Sequence, residues 1–218
     1  KEAFSYPLLD GKCLSDFSDM IHELEFNLTV DKTNQIHKLI SKHFGYNHPF
    51  SSASQLLGGV KAGFLLGFMD VCFLHKGKYW VLDYKTNGLT DYTGSHCEQV
   101  SSHCERTHTC GTHACGSVAI AAPVIPVQTG IHVPQNSIIE SMAEHHYYLQ
   151  YLLYLVALKR YLQVRLKVAD ATDLIGGSVY YYVRGIYTDK TKPGDGVFID
   201  NKCQQLVSEL DNILNETI

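Results

Sequence analysis

The chain has 218 residues, a formal net charge of −4 and a hydrophobic content of 45%, which suits one buried core, in one domain or one domain with an appendage. The weak negative balance excludes a globally basic nucleic-acid field, though not a local groove. No apolar run reaches the roughly 18 residues of a membrane span and no secretory leader opens the sequence, so a soluble, cytoplasmic protein with no membrane partner is expected. Seven cysteines, four of them between Cys97 and Cys115, do not form the distributed framework of a secreted domain, and reduced thiols are expected.

In chain order, His22 to Val30 alternates Leu24, Phe26 and Leu28 with polar residues, the period of a half-buried strand. "FLLGFMDVCFLH", "KGK" and "YWVLDYKTN" then spell a β-hairpin, with Gly77 in the short turn between two runs rich in aromatic and branched residues. From Ser137 the period becomes helical. Ser137 and Glu140 make a capping-box pair, and Ile138, Met142, Leu149, Leu152, Leu153, Val156 and Leu162 carry one long helix to about Val168. "GGSVYYYVRGI", Gly176 to Ile186, reads as a third major strand, and Cys203, Val207, Leu210 and Leu214 form the stripe of a final helix. The order is strand, hairpin, helix, strand, helix, an α/β or α+β fold.

The hairpin carries charge where a strand normally carries core. Asp83 and Lys85 are two apart, so their side chains leave the same face of a strand. If Asp70 faces Asp83 across a turn centred near Lys76 or Gly77, two carboxylates and one lysine converge. Burying them costs several kcal/mol unless something compensates, and a metal cation does so. Two hard oxygen donors suit magnesium or manganese with phosphate, and Lys85 can hold an attacking water or steady the phosphate. The competing reading is a solvated sheet edge with an ordinary ion pair.

"GFMDV", "WVLDYKTN", "LQYLLYLVALKRYL" and "GGSVYYYVRGI", in that order, resemble the C-terminal nuclease domain of the bacterial exodeoxyribonuclease V beta subunit, the RecB family, within the PD-(D/E)xK nucleases. The resemblance covers roughly Glu23 to Asn87 and Ser137 to Ile213. It implies a restriction-endonuclease-like core, a mixed sheet flanked by helices, and a Mg2+-dependent deoxyribonuclease of double-strand break repair, with Mn2+ or Ca2+ able to replace Mg2+ in binding. It implies that Asp70 and Asp83 ligate the metal, that the Tyr84 backbone carbonyl can add a ligand, and that Lys85 is catalytic. Gln150 and Tyr154 match its Q-x-x-x-Y motif, which lies beside the active site and the DNA strand, with His146 one turn further along that face. For Leu153 and Tyr154 ordinary core packing competes. The implied partners are DNA, single-stranded at the site, the helicase portion and the other exodeoxyribonuclease V subunits.

Two departures from the family pattern stand out. The family's histidine ligand lies on a helix upstream of the strand at His22 to Val30, so the chain reads as one domain over 1–218, truncated at its N-terminus, with His22, Glu23 and Glu25 as the nearest substitutes. No G-x-x-x-x-G-K-[ST] occurs, so no ATP site is expected here. The second departure is Thr93 to Pro134, which shifts to Cys, His, Ser, Thr and Gly where the family has a short connection. "PVIPVQTGIH" resembles the in-frame product of a mobile intergenic repeat. Cys97, Cys104, Cys110 and Cys115 invite a zinc or iron–sulfur reading, but lack the C-x-x-C knuckle; a passive inserted loop is the expectation. A catalytically silent DNA-binding or protein-docking remnant, and an independent repair nuclease of the same core, are the alternatives in function.

Overall fold

The computed structural model describes residues 6–30, 33–54, 63–87, 89, 135–186 and 196–215. All lie in the unit formed by Lys1–Asp91 and His132–Ile218. The stretch 93–134, with Cys97, Cys104, Cys110 and Cys115, falls outside the described residues.

A five-stranded sheet of β3 (Met20–Val30), β4 (Gly63–His75), β5 (Lys78–Lys85), β6 (Ile175–Tyr182) and β7 (Val197–Asp200) is ordered β3-β4-β5-β6-β7. Its pairs are antiparallel except β5–β6, which is parallel. Helices α1 (Thr33–Phe44), α2 (Pro49–Ser54), α3 (Gln135–Glu144), α4 (Tyr147–Leu166) and α5 (Gln204–Asn215) complete the chain, with a small sheet of β1 (Pro7–Leu9) and β2 (Lys12–Cys13). This is the expected mixed sheet flanked by helices, consistent with a PD-(D/E)xK-like core.

Each face of the sheet has its own core. Phe26, Leu28, Val81 and Tyr180 pack with Leu152, Leu155 and Val156 of α4 and Val207 and Leu210 of α5. On the other face Val71, Phe73, Trp80, Leu82 and Val179 pack with Leu8, Leu9, Leu14 and Phe17. β5 is thus covered on both sides, which is why its sequence runs Tyr-Trp-Val-Leu instead of alternating. Full burial of each such side chain contributes about 1.5–3 kcal/mol. The hairpin turn is formed by Lys76 (φ 49°) and Gly77 (φ 73°), two left-handed residues whose twist matches that of the flanking strands.

Several elements differ from the sequence expectation. α1 and α2 were not anticipated, although Ile36, Leu39 and Ile40 are buried at helical spacing; nor were β1, β2 and β7, which are two to four residues long and too short to show a period. The single long helix is two. α3 begins at Gln135, so Ser137 lies in its first turn instead of capping it, and the chain breaks at His145–His146, with His146 left-handed at φ 55°. No Gly or Pro marks this break. A left-handed non-glycine residue costs about 1–2 kcal/mol, and it is the contacts of the neighbouring side chains, given below, that hold it. α4 ends at Leu166 with Lys167 also left-handed, two residues short of the expected end.

The β3–β4 ribbon turns over at one rung. Its register is constant from Met20↔Phe73 through His22↔Val71 to Leu24↔Met69 and beyond, with the rung between Glu23 and Asp70 left out. Val71 and Phe73 belong to the core away from the helices, whereas Met69 belongs to the helix-side core, as do Leu24, Phe26 and Leu28 in β3. Glu23, at φ 53°, is where β3 reverses its faces. Asp70 is the opposite member of that rung.

Candidate active site

Asp83 and Lys85 point to the helix side of β5, the side of Val81. The β4–β5 register, Cys72↔Val81 then Val71↔Leu82, carried one rung further sets Asp70 opposite Asp83, as the turn position predicts. The Asp70 carboxylate accepts the Tyr84 backbone N–H at 2.9 Å, which ties it to β5. The Asp83 side chain is only 5% exposed, and Lys85 Nζ lies 2.5 Å from its Oδ2. That oxygen is buried and, among the described residues, has no hydrogen bond of good geometry, so the contact is an ion pair off the hydrogen-bonding directions. A solvated sheet edge does not describe this site.

Burial pushes the Asp83 carboxyl up to about 6, with the charge of Asp70 adding to the rise and Lys85 opposing it. A carboxyl raised in the folded state favours the folded form while protonated. In metal-free protein, stability is therefore expected to fall between about pH 4 and pH 6, by roughly 1.4 kcal/mol per unit of the rise. Denaturation midpoints across that range check it: Asp83→Asn should remove this component of the slope, and an unchanged slope refutes it.

Lys85 is held from several sides. Its Nζ donates to Gln150 Oε1 at 2.9 Å and lies 3.9 Å from the centre of the Tyr147 ring and 5.0 Å from that of Tyr180. Gln150 Oε1 also accepts from Tyr180 OH at 2.9 Å, and Gln150 Nε2 donates to Tyr154 OH at 2.7 Å. Both ends of the amide are satisfied, so its orientation follows from the network. Tyr180 reaches it because the parallel register pairs Asp83 with Tyr180. Tyr154 is buried and meets Phe26 edge-on at 5.2 Å: it packs in the core and reaches the site through Gln150. Burial and the nearby Asp83 charge both raise its hydroxyl pKa.

The side chains of the remaining candidates make no hydrogen bond or ion pair with those of Asp83, Lys85 or Gln150 among the described residues. His22, Glu23 and Glu25 are exposed on β3; His22 pairs with Val71, and Glu23 occupies the rung of Asp70. His146 meets Tyr148 OH at 3.3 Å. Among the described residues no cluster of three or more His, Cys, Asp or Glu side chains could hold a metal, so the carboxylate pair stands alone. The donor set still fits a hard divalent cation, since two facing carboxylates served by the single ammonium of Lys85 are groups such an ion compensates. Sequence reasoning missed Tyr147 and Tyr180. The signal for Tyr180 was the register, since it is reached only once β6 is placed parallel to β5; Tyr147, at the start of α4, had none.

A mixed sheet with an Asp, then Asp-x-Lys, on its central hairpin is consistent with a PD-(D/E)xK-like core. The sequence is similar to RecB subunits over most of its length. The RecBCD enzyme subunit RecB of Escherichia coli K12 is 28% identical over 195 residues, covering 88% of this chain. That of Haemophilus influenzae is 26% identical over 209 residues, covering 93%, and that of Mycolicibacterium smegmatis 28% over 208, covering 87%. This chain spans only 13%, 14% and 16% of those relatives' lengths. It resembles a RecB nuclease-like domain. No family model matches it, and among the described residues no helix is long and apolar enough to cross a membrane.

Proposed function

We propose that the chain is a metal-dependent deoxyribonuclease domain of the RecB type, hydrolysing phosphodiesters of single-stranded DNA. The observation that carries this is the convergence of Asp70, Asp83 and Lys85 at one end of β5 with Gln150 behind the lysine. Asp70 and Asp83 would hold a divalent cation, Mg2+ with Mn2+ or Ca2+ as substitutes in binding, and the Tyr84 carbonyl can add a third oxygen. When bound, the ion supplies positive charge to the phosphate and acidifies water. Lys85, fixed by Gln150 and the two tyrosine rings, orients the attacking water or steadies the charge that builds on the phosphate. ATP is no part of this reading; a helicase portion and the other exodeoxyribonuclease V subunits are the proposed partners.

The test is cleavage of single-stranded DNA with Mg2+ and without it. Mg2+-dependent cleavage that vanishes in Asp83→Ala is the expected result; equal cleavage by the variant refutes the site at Asp83, and none by the wild type overturns the reading in favour of a silent binding module.

We infer also that Thr93 to Pro134 is a passenger. Replacing it with a short Gly/Ser linker should keep the melting transition, since loop length changes closure entropy by only about 0.6 kcal/mol per doubling. Stoichiometric zinc on untagged protein, with a large loss of stability on chelation, would instead make Cys97, Cys104, Cys110 and Cys115 a structural site.

A further inference from the structure

At the helix break the Tyr147 ring that holds Lys85 carries a second ring, His145, to which no task has been given. The His145 and Tyr147 rings are stacked, 5.2 Å between centres and 14° between planes, and Tyr147 continues to Tyr180 at 5.8 Å. His145 is exposed and Tyr147 half-buried, so the stack runs from the core at Tyr180, past Lys85, to solvent.

The outer ring is fixed. His145 Nδ1 faces the Ser141 carbonyl at 3.1 Å, which makes it the protonated nitrogen, and its Nε2 accepts from the Asn87 amide at 3.1 Å. Asn87 Oδ1 in turn accepts from Tyr147 OH at 3.3 Å. Asn87 follows Lys85 by two residues, so the end of the catalytic strand itself sets the tilt of both rings. The left-handed His146 lies between them. In an uninterrupted helix residues two apart point to different sides; the break is what lets them stack.

An exposed ring with both nitrogens engaged and its plane held against a second ring has lost the freedom that stacking a ligand would cost. The cation against the inner ring, Lys85 Nζ at 3.9 Å from the centre of Tyr147, is what a phosphate adjoining a stacked base would meet. The geometry points to His145 and Tyr147 as a stacking platform that receives one unpaired nucleobase next to the phosphate that Lys85, with a cation at Asp70 and Asp83, would hold. The inference rests on the nuclease reading and deepens it. A paired base has both faces covered by its neighbours, so the platform selects a single strand or an unstacked end.

The experiment measures affinity of the full chain, in Ca2+, for a short phosphorothioate single strand and for the same strand made abasic at successive positions. In the wild type one abasic position should weaken binding about tenfold, the scale of one base–aromatic stack. His145→Ala should weaken binding of the intact strand to a similar degree and remove that position dependence. His145→Phe keeps a ring but neither nitrogen, and should restore most of the affinity; a ring that served only to brace Asn87 would not be rescued. Equal loss on intact and abasic strands, no loss in His145→Ala, no rescue by phenylalanine, or no binding by the wild type each overturns the platform. Cleavage without base dependence removes the platform and leaves the nuclease; base-dependent binding without cleavage does the reverse.

Discussion

Lys85→Ala is expected to slow Mg2+-dependent cleavage about a hundredfold or more, the scale of losing one electrostatic stabiliser, while leaving intact the rise in melting temperature that manganese bound at Asp70 and Asp83 should give by stabilising the folded state. The two effects separate because the side chains do: the carboxylates of Asp70 and Asp83 would bind the ion, and the ammonium touches Asp83, Gln150 and two rings. In the absence of metal the substitution also takes from Asp83 its neighbouring positive charge, so the variant has more to gain from added cation by mass action on the folded state. Cleavage at the wild-type rate would show that the lysine is a structural partner of Asp83, and loss of the thermal shift would show that it forms part of the ion site.

Asp211→Ala should be the most damaging single change away from the site, at about 3 kcal/mol, the low end of the penalty for breaking a buried ion pair, since among the described residues Lys159 keeps only the longer contact to the exposed Asp170 at 3.5 Å. Asp211 of α5 accepts from Lys159 Nζ and from Arg160 Nε, each at 2.7 Å, and from Asn215 at 3.1 Å. The Lys159 side chain is 6% exposed, that of Arg160 31%, so the cost falls mainly on the lysine. Thermal melting should drop by roughly 10 °C for a chain of this size. Lys159→Met with Asp211→Leu should recover most of it, because an apolar pair of similar volume is often no worse than the ion pair. If the single variant melts within a degree or two of the wild type, water has reached Lys159 and the pair is not truly buried.

What the sequence disclosed and what it hid divide along physical lines. The hairpin was legible because its turn chemistry and strand composition agree, and with it the facing of Asp70 and Asp83, which needs only counting from Lys76 and Gly77. β6 and α5 were legible from runs of aromatic residues and a clean apolar stripe. The break at His146 was not, since neither Gly nor Pro marks it and histidine enters the left-handed region only as a minority conformer; it is held by His145, Asn87 and Tyr148, residues brought together by the fold. α1 had a readable stripe in Ile36, Leu39 and Ile40 and was passed over. For the site, Asp83, Lys85, Gln150 and Tyr154 form one connected network, whereas the packing of Tyr147 and Tyr180 around the lysine depends on a parallel strand pairing that no local pattern encodes.

The rung at which β3 and β4 reverse their faces bears on how this chain can vary over generations. Glu23 and Asp70 are opposed, and both strands exchange inside for outside there without losing step. Losing or gaining one residue in either strand alone would bring a reversed stretch against an unreversed one, putting Phe26 or Met69 into water and drawing Glu25 or Asn27 inward. Substitutions along the ribbon are thus tolerated one at a time, while changes of length must occur in both strands together or not at all. Asp70 owes its position to this counting more than to any contact it makes, so related chains should diverge freely in the letters around it and hold fixed the number of residues that separates it from Asp83.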